Sequence, residues 1–192
     1  SNDKKIKLWN VSTGECQKTF SKHKDVVVAV SWLPDNKQFI SGGGGNDRTI
    51  RRWDITTGDQ VEVWKMNYRI HDLAVTPDGT KLVVVGAHKK IIVYFPLNKN
   101  QNFTLLESEY VTSLSLSPCG RYALCNISRD ESFGGKGGVH LWDLEERRLI
   151  REFSGHTQTK FVVRCCFGGK NNCFVASGSE DCKVYIWELN NS

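Results

Sequence analysis

The sequence predicts an all-β protein built from repeated antiparallel sheets, because a strand-like segment ending in an aromatic residue recurs along the chain. The five aromatic residues are Trp9, Trp53, Tyr94, Trp142 and Trp187. Their separations are 44, 41, 48 and 45 residues, which is about the length of one four-stranded repeat. Short apolar runs alternate with turn signals, and no segment has a sustained apolar period of 3.6 residues. We therefore expect very little helix.

Each repeat has the same internal order of elements. An apolar run leads to a tight turn, and the turn prolines Pro34, Pro77 and Pro118 are 43 and 41 residues apart. Proline presets φ, and a nearby Asp or Gly tolerates the bend that follows. A second strand then ends in small residues, and a polar turn leads to the aromatic strand. The last repeat has the letters FGGKN in place of the proline turn.

These features resemble the WD40 family along essentially the whole chain. The segment 154–188 carries the family pattern: a Gly-His pair, a small residue ending the second strand, an Asp in the next turn and a closing Trp, with Glu188 in place of the usual final Asp. The resemblance implies structural tetrads in which a buried imidazole and an indole N–H find hydrogen-bond partners. The two tetrads are His156, Ser177, Asp181 and Trp187, and His23, Ser41, Asp47 and Trp53.

The two middle repeats depart from the family pattern. His88 stands where an Asp is expected before Tyr94, and the repeat that ends at Trp142 has no preceding His and contains a long turn at 128–138. We expect these blades to be less rigid than the others. The glycines at 42–45 are expected to lengthen the turn of the blade that contains Trp53.

The resemblance implies a partial WD40 β-propeller, with about four four-stranded blades of an expected seven. The expected boundaries are the end of one blade at 1–20, blades at 21–65, 66–107 and 108–153, and an incomplete blade at 154–192. Exposed blade faces and strand edges are aggregation liabilities, so we expect the missing blades to come from the same chain or from a second copy.

Three segments also resemble the WD repeat-containing protein 26 family, the WD-repeat subunits of the CTLH/GID ubiquitin ligase. They begin at Gly138, Phe161 and Tyr68, and the turn CFGGKNN in the second is the most distinctive. The resemblance implies a non-catalytic protein-interaction scaffold that supports ligase assembly and substrate recruitment, with ligase subunits and substrates as partners. An alternative is a WD40 adaptor in an unrelated assembly, although no Arg follows either Trp-Asp pair at the spacing of the cullin-4 adaptor box.

A nucleic-acid-binding propeller is a further alternative, suggested by paired cations. Lys plus Arg number 26 against 21 Asp plus Glu. The pairs that favour this alternative are Lys22 with Lys24, Arg51 with Arg52, and Lys89 with Lys90. No run reaches five like charges, and solvated surface charge is the ordinary interpretation, so this alternative is the weaker one.

The sequence predicts no enzyme, no cofactor and no metal site. GxSxG, HExxH and P-loop motifs are absent, and the histidines lack metal-ligand spacing. Seven cysteines without a CxxC pair favour a reducing compartment, the cytoplasm or nucleus, and alternation along a strand sends Cys165 and Cys166 to opposite faces. No apolar stretch is long enough to cross a membrane, so a soluble protein is expected.

A partner is expected to bind where the innermost strands begin, at the rim of the central channel. Counting back from the turns places Val26, Val28 and six further residues there: Arg69, His71, Tyr110, Thr112, Phe161 and Val163. An Arg, a Tyr and a Phe in one ring are residue types typical of interaction hot spots. Ordinary strand-start residues packed on their neighbours are the alternative.

Overall fold

The computed structural model describes residues 1–96, 99–128, 137–158 and 161–189, in which the strands form five antiparallel sheets. Blade 1 contains β1 (Ile6–Trp9) and β2 (Cys16–Phe20). Blade 2 contains β3 (Val27–Trp32), β4 (Gln38–Gly43), β5 (Thr49–Asp54) and β6 (Gln60–Lys65). Blade 3 contains β7 (Ile70–Val75), β8 (Leu82–Gly86), β9 (His88–Tyr94) and β10 (Phe103–Leu106). Blade 4 contains β11 (Val111–Leu116), β12 (Tyr122–Ile127), β13 (Gly138–Asp143) and β14 (Arg148–Phe153). Blade 5 contains β15 (Cys165–Gly168), β16 (Phe174–Gly178) and β17 (Val184–Glu188).

The expected all-β class and partial propeller are confirmed. Within the described ranges, the helical elements are two single 3-10 turns, Lys99–Gln101 and Lys170–Asn172. Three sheets have four strands, each paired in sequence order, which is the meander expected of a propeller blade. The long turn predicted at 128–138, with its second glycine run, lies largely outside the described residues.

In blades 2 and 3, the first turn closes by local hydrogen bonds to the Asp that its sequence predicts. In blade 2, Asp35 Oδ1 accepts from the backbone N–H groups of Lys37 and Gln38, at 2.9 and 3.0 Å. In blade 3, Asp78 Oδ1 accepts from Thr80 N at 3.0 Å, and Gly79 adopts a φ of 72° that favours glycine. These hydrogen bonds lower the pKa of Asp78 to about 2, with the Thr76 hydroxyl as the largest contributor.

The innermost strands lie against one another around the central channel and are joined by hydrogen bonds between blades. The backbone N–H of Val75 on β7 donates to Ser31 Oγ on β3 at 3.0 Å. One blade further on, Ser113 Oγ on β11 donates to the carbonyl of Val163 at 2.9 Å. These contacts place β3, β7, β11 and β15 side by side, and each blade extends outward from them.

The apolar core lies between the blades. The sheets of blades 3 and 4 enclose a cluster that includes Val83, Val93 and Ala123, each fully buried. Blades 2 and 3 enclose a second cluster around Ile40 and Ile50. Blades 4 and 5 enclose a third, and blades 1 and 2 enclose a smaller aromatic cluster of Phe20, Phe39 and Trp53. Because a two-faced sheet can bury its apolar residues only against other sheets, every blade depends on its neighbours.

Apolar residues are exposed on blade 5 and on blade 2. On β17, Val184 is 72% exposed and Ile186 is 66% exposed. On β3, Val30 and Trp32 are about half exposed beside the two-stranded blade 1. Along these strands, exposed side chains alternate with side chains that face a neighbouring sheet, because successive residues of a strand point to opposite faces.

Candidate functional site

The hydrogen-bonded set in blade 2 combines the four residues expected there. His23 precedes β3, Ser41 lies on β4, and Trp53 lies on β5. His23 Nδ1 bonds to Asp47 Oδ2, and His23 Nε2 lies 2.6 Å from Ser41 Oγ. Trp53 Nε1 donates to the same Ser41 Oγ at 2.8 Å. The set ties the loop before the blade to its two central strands.

Burial and close packing determine the chemistry of this set. Burial lowers the pKa of His23, although the neighbouring carboxylate of Asp47 acts in the opposite direction. Asp47 Oδ1 also accepts from Thr49 Oγ1 at 3.1 Å. A Cβ on Gly43 would lie 2.8 Å from His23 Nδ1, so glycine there leaves room for the imidazole. The set is fully engaged in structural bonds and has no free group for chemistry.

In blade 5, the corresponding four residues are near one another but do not form the expected hydrogen-bonded set. His156 is buried, and neither ring nitrogen has a hydrogen-bond partner among the described residues. Asp181 is exposed and accepts from Tyr185 Oη at 2.7 Å, while Trp187 Nε1 donates to the Ser154 carbonyl at 3.2 Å. The expected tetrad of His156, Ser177, Asp181 and Trp187 is therefore replaced by separate contacts. Among the described strands, β17 pairs only with β16, and Asp181 is exposed to solvent.

Blade 4 contains a different buried set that the sequence analysis missed. Glu107, directly after β10, accepts from Trp142 Nε1 and bonds to His140 Nδ1 at 2.9 Å. Both partners lie on β13, and all three residues are buried. In blade 4, the Glu107 carboxylate therefore accepts the hydrogen bond of the buried Trp, as Ser41 of the His-Ser pair does in blade 2. The only sequence signal is an acidic residue directly after an apolar strand, which many exposed turns share.

The acidic or amide residue that follows the aromatic strand closes the next turn. Asp54 Oδ1 accepts from the N–H groups of Thr56 and Thr57, at 2.7 and 3.0 Å. Asn10 and Asp143 make the same pair of bonds in their own blades. These local side-chain bonds replace the turn's missing backbone partners.

The six rim residues divide into an exposed group and a hydrogen-bonded group. Arg69 is exposed, Tyr110 is 42% exposed and Phe161 is 71% exposed. The other three residues form hydrogen bonds between blades. His71 Nδ1 donates to the Val111 carbonyl, and Thr112 Oγ1 accepts from Gln158 Nε2. The backbone carbonyl of Val163 accepts from Ser113 Oγ. Val26 and Val28 are half-buried beside the glycine run. Phe161 and Val163 precede β15, which begins later than the sequence analysis placed it.

A carboxylate in the channel joins three blades by bonds that the sequence does not reveal. Asp72 Oδ2 on β7 accepts from the Leu114 N–H at 3.1 Å and from Arg164 Nη1 at 2.9 Å. Asp72 and Arg164 are 92 residues apart in sequence. Burial raises the pKa of Asp72, and both hydrogen bonds oppose that rise. Because no local pattern relates positions so distant, a single sequence could not have indicated this pair.

The cysteines have the environments expected of strand alternation. Cys165 is buried, and desolvation raises its pKa to about 12, whereas Cys166 is exposed. A buried thiol with a raised pKa is a poor nucleophile at neutral pH. Among the described residues, no group of three or more His, Cys, Asp or Glu side chains could hold a metal ion. The same part of the chain contains no helix long and apolar enough to cross a membrane.

The family model described as "WD domain, G-beta repeat" matches residues 14–54 and 147–188. The chain carries WD40 repeats. The two matched stretches include much of blades 2 and 5, and the middle blades that depart from the WD40 pattern lie between them. Blade 4 has four strands although the preceding His of the WD40 pattern is absent, and Glu107 supplies a different buried set there.

Curated relatives support a closer similarity along nearly the whole chain. The chain is 38% identical over 196 residues to the WD repeat-containing protein WDS homolog of Arabidopsis thaliana. It is 34% identical over 185 residues to the WD repeat-containing protein 26 homolog of the same plant, and 38% identical over 182 residues to GID complex subunit 7 of Schizosaccharomyces pombe. These matches cover 100, 95 and 91% of this chain and 36, 30 and 34% of the relatives. The resemblance to this WD40 group is confirmed, and the chain spans about a third of the length of these relatives.

The WD40 tetrad of blade 2 is expected to stabilise the fold more than its counterpart in blade 5. Ser41→Ala removes the oxygen shared by His23 Nε2 and Trp53 Nε1, and leaving such buried groups unpaired costs roughly 1–3 kcal/mol. Ser177→Ala should cost less, because Ser177 contacts neither His156 nor Trp187 by a hydrogen bond. The measurement is the free energy of unfolding in urea. Equal losses of unfolding free energy in the two variants would contradict this prediction. The control is Ser21→Ala, which changes an exposed serine.

Stability is expected to fall as the pH drops below about 6.5. Burial is the largest cause that lowers the pKa of His23, His88 and His156, so the unfolded chain takes up protons at a pH where the folded chain does not. Their contribution is full above the ordinary value of 6.5 and is lost as the pH falls below it. Unfolding in urea at a series of pH values between about 5 and 7.5 measures this loss.

The variant His88→Phe tests the assignment to buried histidines. Both ring nitrogens of His88 are buried and have no hydrogen-bond partner among the described residues. The centroid of its ring lies 4.0 Å from that of the Tyr68 ring. Phe keeps the ring contact and removes the unpaired nitrogens, so stability at pH 7.5 should be equal or higher by about 1 kcal/mol. The loss toward low pH should be smaller than in the parent. If the dependence of stability on pH were the same as in the parent, His88 would not contribute to the loss of stability at low pH.

Proposed function

We propose that this WD40 chain is part of a non-catalytic scaffold in a GID/CTLH-type ubiquitin ligase, where it supports complex assembly and substrate recruitment. The observation that carries the proposal is the similarity to GID complex subunit 7 over 91% of the chain. Similarity across all five sheets, rather than within one repeat, is more specific than the WD40 pattern itself. The cytoplasm or the nucleus is the compartment we propose for such a subunit.

The exposed rim residues are the surface that we propose for partner binding. Arg69, Tyr110 and Phe161 are exposed, and they lie near the starts of neighbouring inner strands. Large aromatic and Arg side chains supply much of the binding energy of protein interfaces. The remaining rim residues hold adjacent blades together, so they provide a fixed support for these three side chains.

The nucleic-acid alternative has less support, because cations in two of its three pairs already bond to neighbouring side chains. Arg51 is buried and donates to Thr49 Oγ1 at 3.1 Å, and Lys89 forms an ion pair with Glu109 at 3.0 Å. Nucleic-acid affinity needs cations that are free to reach phosphates. An adaptor role in an unrelated assembly would use the same rim, and only the partners distinguish it.

The proposal is tested by purifying the tagged full-length protein from its own cells and identifying bound proteins by mass spectrometry. We expect near-stoichiometric recovery of subunits with LisH and CTLH segments and of a RING partner. Their absence, with other proteins recovered instead, would contradict the ligase assignment.

A rim variant, Tyr110→Ala with Phe161→Ala, tests the binding surface in the same experiment. At least one partner should be recovered about tenfold less, since truncating a hot-spot side chain commonly costs more than ~1.4 kcal/mol. The control is Val11→Ala with Val61→Ala, which removes exposed apolar groups away from the rim. Unchanged recovery of every partner with the rim variant would contradict the rim assignment.

A further inference from the structure

A cavity of about 350 Å³ opens on blade 2 beside the buried His23 set. Its walls come from the loop before β3, the turn between β4 and β5, and the outer strands β5 and β6. The lining residues are Lys24, Asn46, Asp47, Arg48, Thr49, Arg51, Val63, Lys65 and Met66. We call it the blade-2 cavity.

Strand register explains why these side chains meet. Thr49 on β5 pairs with Lys65 on β6, and Arg51 pairs with Val63 two positions along. Residues directly opposite one another on paired strands point to the same face of the sheet. The turn residue Arg48, whose φ is 49°, and Lys24 from the preceding loop complete the rim of the cavity.

The blade-2 cavity contains four cationic side chains and one carboxylate, which leaves a net charge of three positive. The carboxylate, Asp47, is already bonded to His23 and to Thr49. Arg51 is held in the wall by Thr49, by Gln60 and by Asp47 Oδ1 at 3.8 Å. Lys24, Arg48 and Lys65 make no ion pair or side-chain hydrogen bond with any residue in the described ranges.

Convergent cations in a concave site attract an anion, because the low-dielectric walls concentrate their field. Val63 and Met66 add an apolar wall, which suits the aliphatic part of a Glu or Asp side chain and its backbone. We propose that the blade-2 cavity binds an acidic segment of a partner protein, with a carboxylate placed among Lys24, Arg48 and Lys65. This inference rests on the proposed scaffold function, because it assigns a class of partner to that scaffold.

The shape and lining of the cavity favour a protein carboxylate over a nucleic acid. Single-stranded nucleic acids bind where bases stack on aromatic side chains, and no aromatic residue lines this cavity. A duplex presents its phosphates on a convex ridge, and its affinity depends on many cations spread along that ridge. The four cations here converge on a space that holds one or two side chains.

The test is the binding of a fluorescein-labelled peptide of about ten alternating Glu and Gly residues to the full-length protein, measured by fluorescence anisotropy. The matched probe has Gln in place of every Glu. We expect the Glu peptide to bind at low salt, the affinity to fall as salt is raised, and the Gln peptide to bind at least about tenfold more weakly. Equal binding of the two peptides, or no binding of the Glu peptide up to about 1 mM, would overturn the proposal.

A pair of charge-matched variants locates the site. Lys24→Glu with Lys65→Glu reverses two exposed cations of the cavity without touching the His23 set, and should weaken binding about tenfold or more. The control, Lys37→Glu with Lys170→Glu, makes the same change of net charge at exposed lysines elsewhere and should have little effect. Equal losses in both variants would show that net charge alone attracts the peptide and would overturn the site.

A third probe, an oligothymidylate of about twenty nucleotides, separates protein from nucleic-acid binding. Tighter binding of this probe than of the Glu peptide, lost in the Lys24→Glu, Lys65→Glu variant, would overturn the acidic-segment assignment in favour of a nucleic-acid surface. The purification described under the proposed function is independent of this outcome. Recovery of ligase subunits together with failure of the Glu peptide would remove the acidic-segment inference alone.

Discussion

Each blade of this chain buries its apolar residues against a neighbouring blade, and the rest of the structure depends on that packing. Val83 and Val85 of β8 and Ala123, Cys125 and Ile127 of β12 belong to one cluster shared by blades 3 and 4. Val84 and Leu124 point to the opposite faces and belong to the clusters shared with blades 2 and 5. The inner strands are then close enough for side chains of one blade to bond to the backbone of the next, as Ser31, Asp72 and Ser113 do. Those bonds hold the inner strands side by side, and the exposed rim residues lie near the starts of these strands.

The buried polar sets follow the same constraint. In blade 2, neighbouring blades cover the sheet, and His23, Ser41, Asp47 and Trp53 form a closed set of bonds. In blade 5, one face of the sheet is exposed, and the equivalent residues bond elsewhere or remain unpaired. Blade 4 has the cover and keeps Trp142, but it lacks the preceding His of the WD40 pattern, and Glu107 bonds to Trp142 and His140 instead. Closed polar sets therefore form in blades 2 and 4, whose sheets are covered, and different residues compose them in the two blades.

The repeat period and the turn chemistry predicted most of the fold, because both act within a few residues. The aromatic strands and the turns at Pro34 and Pro77 were readable from spacing, and the blade 2 set was implied by the resemblance to the WD40 family. The bonds of Glu107 and Asp72 were not, because their partners lie 33 to 92 residues away and depend on how blades meet. The blade-2 cavity was missed for a related reason: Lys24, Arg48 and Lys65 become neighbours only through the register of β5 and β6.

Hydrogen exchange of the backbone amides in the 192-residue chain tests most directly whether contact between blades holds the structure. If it does, the amides of β8 and β12 should exchange most slowly, because their sheets are covered on both faces. This result would be the opposite of the lower rigidity that the departures of these two blades from the WD40 pattern predict. The amides of β17, which pairs only with β16 among the described strands and exposes Val184 and Ile186, should exchange much faster. Equally slow exchange in β17 and β8 would contradict the account, because it would mean that each blade is stable without a covered face.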